Sequence, residues 1–105
     1  MEGSLWKNAK RKFELGRVVV TRGIHEAIRE DASFGDFVDG ALIKHSMGDW
    51  GDLDPEDAAL NDEALKSGED RIFSVYKRKG IRDGKIWVIT EWDRSATTIL
   101  FPSEY

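Results

Sequence analysis

Hydrophobic positions along the chain change their period twice, and the changes predict a strand, then helices, then a sheet. The β-branched run from Arg17 to Thr21 predicts the strand, and its unbroken apolar character predicts burial on both faces. Apolar residues then recur at helical spacing to about residue 67, and from residue 71 onward the period is two. The pattern therefore predicts an α+β fold with an N-terminal strand, about three short helices and a C-terminal sheet.

Local signals mark where each helix begins. Thr21 is a candidate N-cap for the first helix, and Ser33 followed by Asp36 resembles a capping box for the second. Asp54 followed by Pro55 predicts the start of the third. Six residues of the second helix keep helical spacing, which predicts a core element: Phe34, Phe37, Val38, Ala41, Leu42 and His45.

The third helix is polar except for a narrow stripe. We expect Leu60 and Ala64 to form its packing stripe and Gly68 to end it. The last third of the chain then predicts a three-stranded antiparallel meander packed on the helices. Both alternating sets of the middle strand are apolar, so one face should pack on the helices while the other can carry exposed aromatics. The predicted strands are Arg71 to Arg78, Lys85 to Trp92 and Thr97 to Phe101.

The length of 105 residues predicts a single domain, 1–105, of which residues 1–12 form a basic N-terminal arm. The absence of cysteine excludes disulfides, thiolate nucleophiles and zinc sites with cysteine ligands. The longest apolar runs are far shorter than a membrane span, and the first residues lack the apolar region of a signal peptide. A cytoplasmic protein without membrane association is therefore expected.

Charge is distributed unevenly although the net value is only −4. Residues 31–70 hold twelve acids and two bases, a net of −10, whereas residues 1–20 and 71–105 each carry a net of +3. Such asymmetry concerns partners and electric fields rather than the fold. It predicts either a basic protein partner for the acidic segment or nucleic-acid contact by the arm.

The middle segment partly matches a calcium-binding loop, because four acids fall at positions 1, 3, 5 and 12 of an EF-hand-like loop: Asp52, Asp54, Glu56 and Glu63. Position 6 is Asp57, where the sharp turn of that loop needs glycine. Helix capping by exposed acids explains the same residues. We therefore predict no metal site.

No spaced motif links the two histidines and the serines into a catalytic constellation. His45 lies on the apolar stripe of the second helix, which favours a hydrogen-bonded core histidine over a general base. We predict no catalytic residue, no cofactor and a non-enzymatic protein.

The most distinctive local feature is an acidic loop in which Trp50 stands between two glycines. Trp50 either seals the core between the second and third helices or inserts into a partner, with Asp49 and Asp52 meeting the partner's basic residues. Glu56 and Asp57 continue the acidic surface into the third helix. All five are candidate binding residues.

Glu91 and Asp93 flank Trp92 at the end of a predicted strand, on one face by alternation. They could share a proton, as paired carboxylates do. The neighbouring Arg94 favours an exposed salt cluster in the hairpin instead. We include Glu91 and Arg94 among the candidate binding residues.

Three stretches carry a resemblance to a known group: FELGRVVVTR (13–22), HSMGDWGDLDPED (45–57) with Asn61, and WVITEWDRSATTILFPSEY (87–105). Together they resemble the short, uncharacterised proteins often labelled plasmid-related protein, which occur on bacterial plasmids, integrated elements and prophages. The likeness covers about residues 13–105. It implies a setting on mobile genetic elements and no particular chemistry.

The sequence is compatible with three functions. The first is an inhibitor of a host nucleic-acid-handling defence complex, anti-CRISPR or anti-restriction, that binds a basic protein through the acidic surface. The second is an antitoxin-like or regulatory DNA-binding protein that uses the basic arm with Arg78, Lys79 and Arg82. The third is a small hydrolase or transferase. The oligomeric state is left open.

Overall fold

The computed structural model describes residues 11–105, so the predicted basic arm lies outside the described residues except for Arg11 and Lys12. The α+β class is confirmed: residues 11–105 form three helices and a four-stranded mixed sheet. The elements are β1 (Arg17–Val20), α1 (Arg22–Glu30), α2 (Ala32–Ser46), α3 (Pro55–Ser67), β2 (Ile72–Lys77), β3 (Lys85–Thr90) and β4 (Ala96–Leu100). Short 3₁₀ turns occupy Arg82–Gly84 and Pro102–Glu104.

The sheet has the strand order β1-β4-β3-β2. The antiparallel run β2-β3-β4 corresponds to the predicted meander. The structure adds one strand to the predicted meander. The strand β1 joins the same sheet, parallel to β4, so that β4 becomes an inner strand. The helices α1 and α2 supply the long connection that carries the chain away from β1, and α3 follows before the chain enters β2 at the opposite edge.

The prediction that β1 is buried on both faces is wrong. Val18 is 42% exposed and Val20 is 37% exposed. The reason is the position of β1 at the edge of the sheet, where β4 is its neighbour on one side. An apolar β-branched run reads the same in an edge strand as in a buried parallel strand.

Two of the three predicted helix starts need correction. Asp31, and not the Ser33 and Asp36 pair, caps α2: its carboxylate accepts a hydrogen bond from the Ser33 N–H at 2.9 Å. Thr21 stands at the N-cap of α1, but its hydroxyl donates to Glu104 at 2.5 Å. The Glu104 carboxylate accepts from the Gly23 N–H at 2.9 Å, so the C-terminal turn caps α1.

The α3 signals are confirmed at both ends. The Asp54 carboxylate accepts from the Asp57 N–H at 3.0 Å, and Pro55 is the first helical residue. Gly68 ends the helix with a positive φ of 70°, a conformation that glycine adopts without strain. None of the helices in residues 11–105 is long and apolar enough to cross a bilayer.

The main core lies between one face of the sheet and the helices α1 and α2. Four buried residues come from the helices: Ile24, Phe34, Val38 and Ala41. Five come from the sheet side: Tyr76, Ile86, Val88, Ile99 and Phe101. A smaller core of Trp50, Ala64 and Ile72 lies under α3, beside the edge of β2. The helices thus cover one face of the sheet and protect one of its edges.

Candidate binding surface

The loop that precedes α3 binds the outer edge of β2. The Val75 N–H donates to the carbonyl of Trp50 at 3.3 Å, and the Asp52 N–H donates to the carbonyl of Val75 at 2.6 Å. The Asp52 carboxylate accepts from the Lys77 N–H at 2.8 Å. An unpaired strand edge can pair with another chain, and a covering loop is one way to prevent this. The loop from Trp50 to Asp52 covers it here.

Asn61 continues this protection from the buried side of α3. Its side-chain amide donates to the Phe73 carbonyl at 2.7 Å, and its oxygen accepts from the Phe73 N–H at 3.1 Å. One side chain therefore replaces the two hydrogen bonds that a neighbouring strand would make. We call the Trp50–Asp52 loop and Asn61 together the edge clamp. No role for Asn61 was predicted, although its place three residues before Ala64, on the same side of the helix, is a signal present in the sequence.

Gly51 is required by the close approach of the edge clamp. Its φ is 72°, and it forms a parallel bridge with Val75. A Cβ at this position would collide with the Val75 carbonyl oxygen and the Tyr76 ring. Only glycine therefore allows the loop to lie against β2.

Trp50 points inward. It is 7% exposed, its ring centroid lies 6.2 Å from that of Phe13 and 5.9 Å from that of His45, and its indole N–H donates to Asp62 at 3.2 Å. The first of the two alternatives is confirmed: Trp50 seals the core under α3. Insertion of Trp50 into a partner does not fit this burial.

The loop acids are exposed, but their carboxylates already bind the backbone. Asp49 accepts from the Gly51 N–H at 3.1 Å, and its carbonyl accepts from the Tyr76 hydroxyl at 2.6 Å. The Asp52 carboxylate accepts from the Lys77 backbone N–H at 2.8 Å. These two candidate binding residues therefore have structural roles that explain their presence.

His45 is fully buried, and the prediction of a core histidine is confirmed. Its Nδ1 lies 2.6 Å from the Ser74 hydroxyl, and its Nε2 lies 2.8 Å from that of Thr90. The chain of hydrogen bonds continues from Thr90 to Thr97 at 2.7 Å and from the Thr97 hydroxyl to the Leu15 carbonyl at 2.7 Å. Since that carbonyl can only accept, the chain has one direction: Ser74 donates to Nδ1, and the Nε2–H donates to Thr90.

Burial lowers the pKa of His45 from 6.5 to about 3. Desolvation disfavours the imidazolium, so the ring is neutral at pH 7. A group with no exposed surface cannot reach a substrate. The polar chain thus serves to join α2 to β2, β3 and β4.

The guanidinium of Arg94 binds carbonyl oxygens, so the predicted salt cluster is wrong as a description of its contacts. It donates to four carbonyls, of Ala64 at 3.2 Å, Asp70 at 2.7 Å, Glu91 at 3.1 Å and Trp92 at 3.0 Å. The Asp93 carboxylate accepts from the Ser95 N–H at 3.0 Å. Arg94 therefore ties the β3–β4 hairpin to the last turn of α3, where the Ala64 carbonyl also accepts from the Gly68 N–H at 2.9 Å.

The candidate residues do not form one site. Glu56 and Asp57 lie in the first turn of α3, whereas Arg94 and Glu91 lie at its other end, near Ala64. Ala64 lies eight positions after Glu56 in the helix, which is about 12 Å along the axis. The two groups can act together only against a partner large enough to span the helix.

The outer face of α3 presents exposed side chains of the acidic segment in a regular array. Glu56, Leu60 and Glu63 are exposed at helical spacing i, i+4 and i+7, which places them on one stripe. Leu60 is 66% exposed, so its predicted role in packing is wrong, and Asn61 takes the buried place beside Ala64. We call Glu56, Asp57, Leu60 and Glu63 the acidic α3 face.

Two of the cations in the DNA-binding hypothesis are already engaged. Arg78 donates to the carbonyl and the hydroxyl of Ser33 at 3.0 and 2.9 Å. Arg82 donates to the Ser103 hydroxyl at 2.9 Å and lies 5.2 Å over the Phe101 ring centroid. Both arginines therefore join surface elements of the fold.

Within the described part of the chain, no three residues among histidines and acids are grouped to hold a metal ion.

Comparison with family models, with curated proteins and with solved structures gives no match.

Proposed function

We propose that this protein is a non-enzymatic binding domain that presents the acidic α3 face to a basic protein. The observation that supports the proposal is the charge of the segment that contains α3. All twelve acids of residues 31–70 are exposed, against only two bases, Lys44 and Lys66. Like charges so crowded cost stability through repulsion and steer basic partners at long range.

Leu60 gives this charged surface an apolar contact point. Its exposure contributes nothing to the core of the domain, whereas burial of a leucine against a partner contributes about 1.5–3 kcal/mol. Glu56 and Glu63, about one turn on either side, would face lysine or arginine side chains around the apolar contact. Such an arrangement resembles an interface core with a charged rim.

The resemblance to plasmid-related proteins suggests the class of partner. On a mobile element, a surface of carboxylates would compete with nucleic acid for the positive channel of a host CRISPR or restriction complex. We therefore propose an anti-CRISPR or anti-restriction inhibitor that acts in the bacterial cytoplasm. Association of this kind should weaken with added salt, because screening slows the encounter.

Comparative capture from a bacterial lysate tests the proposal. The baits are the wild type, Glu56→Lys/Glu63→Lys, and the control Glu26→Lys/Glu30→Lys, which makes the same change in net charge on α1. We expect a nucleic-acid-handling protein on the wild type and the control, and its loss from the α3 variant, whose thermal melting is unchanged. Equal capture by all three baits would contradict a role for the acidic α3 face.

The DNA-binding alternative now depends on the basic arm and Lys79. Arg78 and Arg82 are engaged within the fold, and this engagement weakens the alternative. Deletion of residues 1–10 distinguishes the two hypotheses. The antitoxin-like or regulatory function would be favoured if the wild type captures no protein partner and if the deletion of residues 1–10 abolishes DNA binding.

A further inference from the structure

The sheet face opposite the helices is basic. The four strands contain three bases, Arg17, Lys77 and Lys85, and no acid. Lys77 pairs with Lys85 across the β2–β3 ladder, and Arg17 pairs with Ala96. Alternation of side chains puts all three bases on the face that the main core does not use.

Aromatic rings lie on the same face. The Trp87 ring centroid is 5.2 Å from that of Phe73 and 5.7 Å from that of Tyr105, both in edge-to-face geometry. Tyr105 is 70% exposed. The exposed Arg71 lies 5.8 Å over the Tyr105 ring and donates to its hydroxyl at 3.0 Å. An aromatic row therefore runs across the sheet with cations beside it.

We propose that this face binds single-stranded nucleic acid without sequence preference. Bases stack on aromatic rings, and lysine and arginine neutralise the phosphates that run between them. Trp87 and Tyr105 would supply the stacking surface, while Arg71, Lys77 and Lys85 would contact the backbone. This site lies on a different face from the acidic α3 face and goes beyond the protein-binding function.

Charge and stacking argue for this occupant over three others. A second copy docked through the same face would place one basic surface against another, because a two-fold interface pairs a patch with itself. An apolar partner would leave the cations without counter-charges. An acidic polypeptide would satisfy the cations but would have no flat bases to place on Trp87 and Tyr105.

The test is fluorescence anisotropy at low salt with labelled oligothymidylate, an abasic oligonucleotide of equal length, and polyglutamate. We expect the wild type to bind oligothymidylate more tightly than either other probe. Tyr105→Ala should weaken this binding about fivefold or more, as expected for loss of one stacked base. Tyr105→Phe, which retains the ring, should bind nearly as the wild type does.

Salt dependence tests the cations. Arg71→Gln/Lys77→Gln should lower the slope of log K against log salt by about 1.4, since each phosphate contact with a single strand contributes about 0.7. The control Lys44→Gln/Lys66→Gln removes the same charge from the helical layer and should leave the slope nearly unchanged.

Four results would overturn the proposal. The first is absence of oligothymidylate binding at low salt, and the second is equal affinity for all three probes, which would indicate a general anion surface. The third is loss of binding on deletion of residues 1–10 but not in the Tyr105 or Arg71/Lys77 variants. The fourth is self-association that Tyr105→Ala abolishes, which would assign the face to a second copy.

Discussion

The two halves of the acidic segment between residues 48 and 63 look alike in sequence and differ in what their carboxylates do. In the loop, Asp49, Asp52 and Asp54 each accept a backbone N–H. On α3, Glu56 and Glu63 are exposed on the outer stripe. The loop acids hold the fold, whereas Glu56 and Glu63 are available to a partner. Asp62, also on α3, accepts from the Trp50 indole N–H and belongs with the acids that hold the fold.

Side-chain length explains the division. An aspartate is short enough to reach the main chain a few residues away, which favours loops and caps. A glutamate in a helix extends from the surface and reaches helical neighbours or solvent. A count of charges cannot separate these uses, whereas the choice of aspartate or glutamate at each position helps to do so.

Among substitutions in the loop half, Trp50→Ala should cause the largest loss of stability. Removal of this buried indole should cost about 3–5 kcal/mol of the free energy of unfolding, because a cavity opens between Phe13 and His45. Trp92, which is 60% exposed, is the matched control, and Trp92→Ala should cost less than about 0.5 kcal/mol. Urea unfolding measures both. Similar losses at the two tryptophans would contradict the inward placement of Trp50.

The hydrogen-bonded core beneath the loop should make stability depend on pH. The folded state holds the pKa of His45 at about 3, below its ordinary 6.5, so the unfolded chain binds more protons between these values. Stability is therefore full above pH 6.5 and is lost as the pH falls, by about 2 kcal/mol at pH 5. Urea unfolding of the wild type and His45→Gln checks this. A loss of the same size in the variant would show that other groups cause it.

Asp54 and Asp57 give a smaller contrast at the boundary between the halves. Asp54→Ala should cost about 1 kcal/mol, because the Asp57 N–H loses its cap. Asp57→Ala removes only a favourable charge near the helix N-terminus and should cost less, about 0.3–1 kcal/mol. Thermal melting of the two variants checks the order, and a larger cost at Asp57 would contradict the capping assignment.

Features that depend on neighbours in sequence were predictable, and features that depend on distant strands were not. The Asp54 and Pro55 start, the Gly68 end and the buried His45 follow from local spacing. The role of Asn61 depends on β2, twelve residues away, which an intact helix pattern does not reveal. The exposure of β1 likewise depends on strand order, which periodicity does not encode.

The choice between Trp50 as anchor and Trp50 as core also depended on tertiary structure. A tryptophan between two glycines has the same sequence signature in either case. The conformation of Gly51 decides between the two, because its positive φ and close approach to Val75 place the loop against the sheet. The edge clamp therefore separates the residues of the segment that hold the fold from those that can contact a partner.

The most direct test of this division uses two adjacent residues of α3. Asn61→Ala removes both hydrogen bonds to Phe73 from a site that is 4% exposed, whereas Leu60→Ala shortens a side chain that is 66% exposed. Urea unfolding should show a loss of at least about 2 kcal/mol for Asn61→Ala and less than about 0.5 kcal/mol for Leu60→Ala. Equal losses, or a greater loss at Leu60, would contradict the separation of the edge clamp from the acidic α3 face.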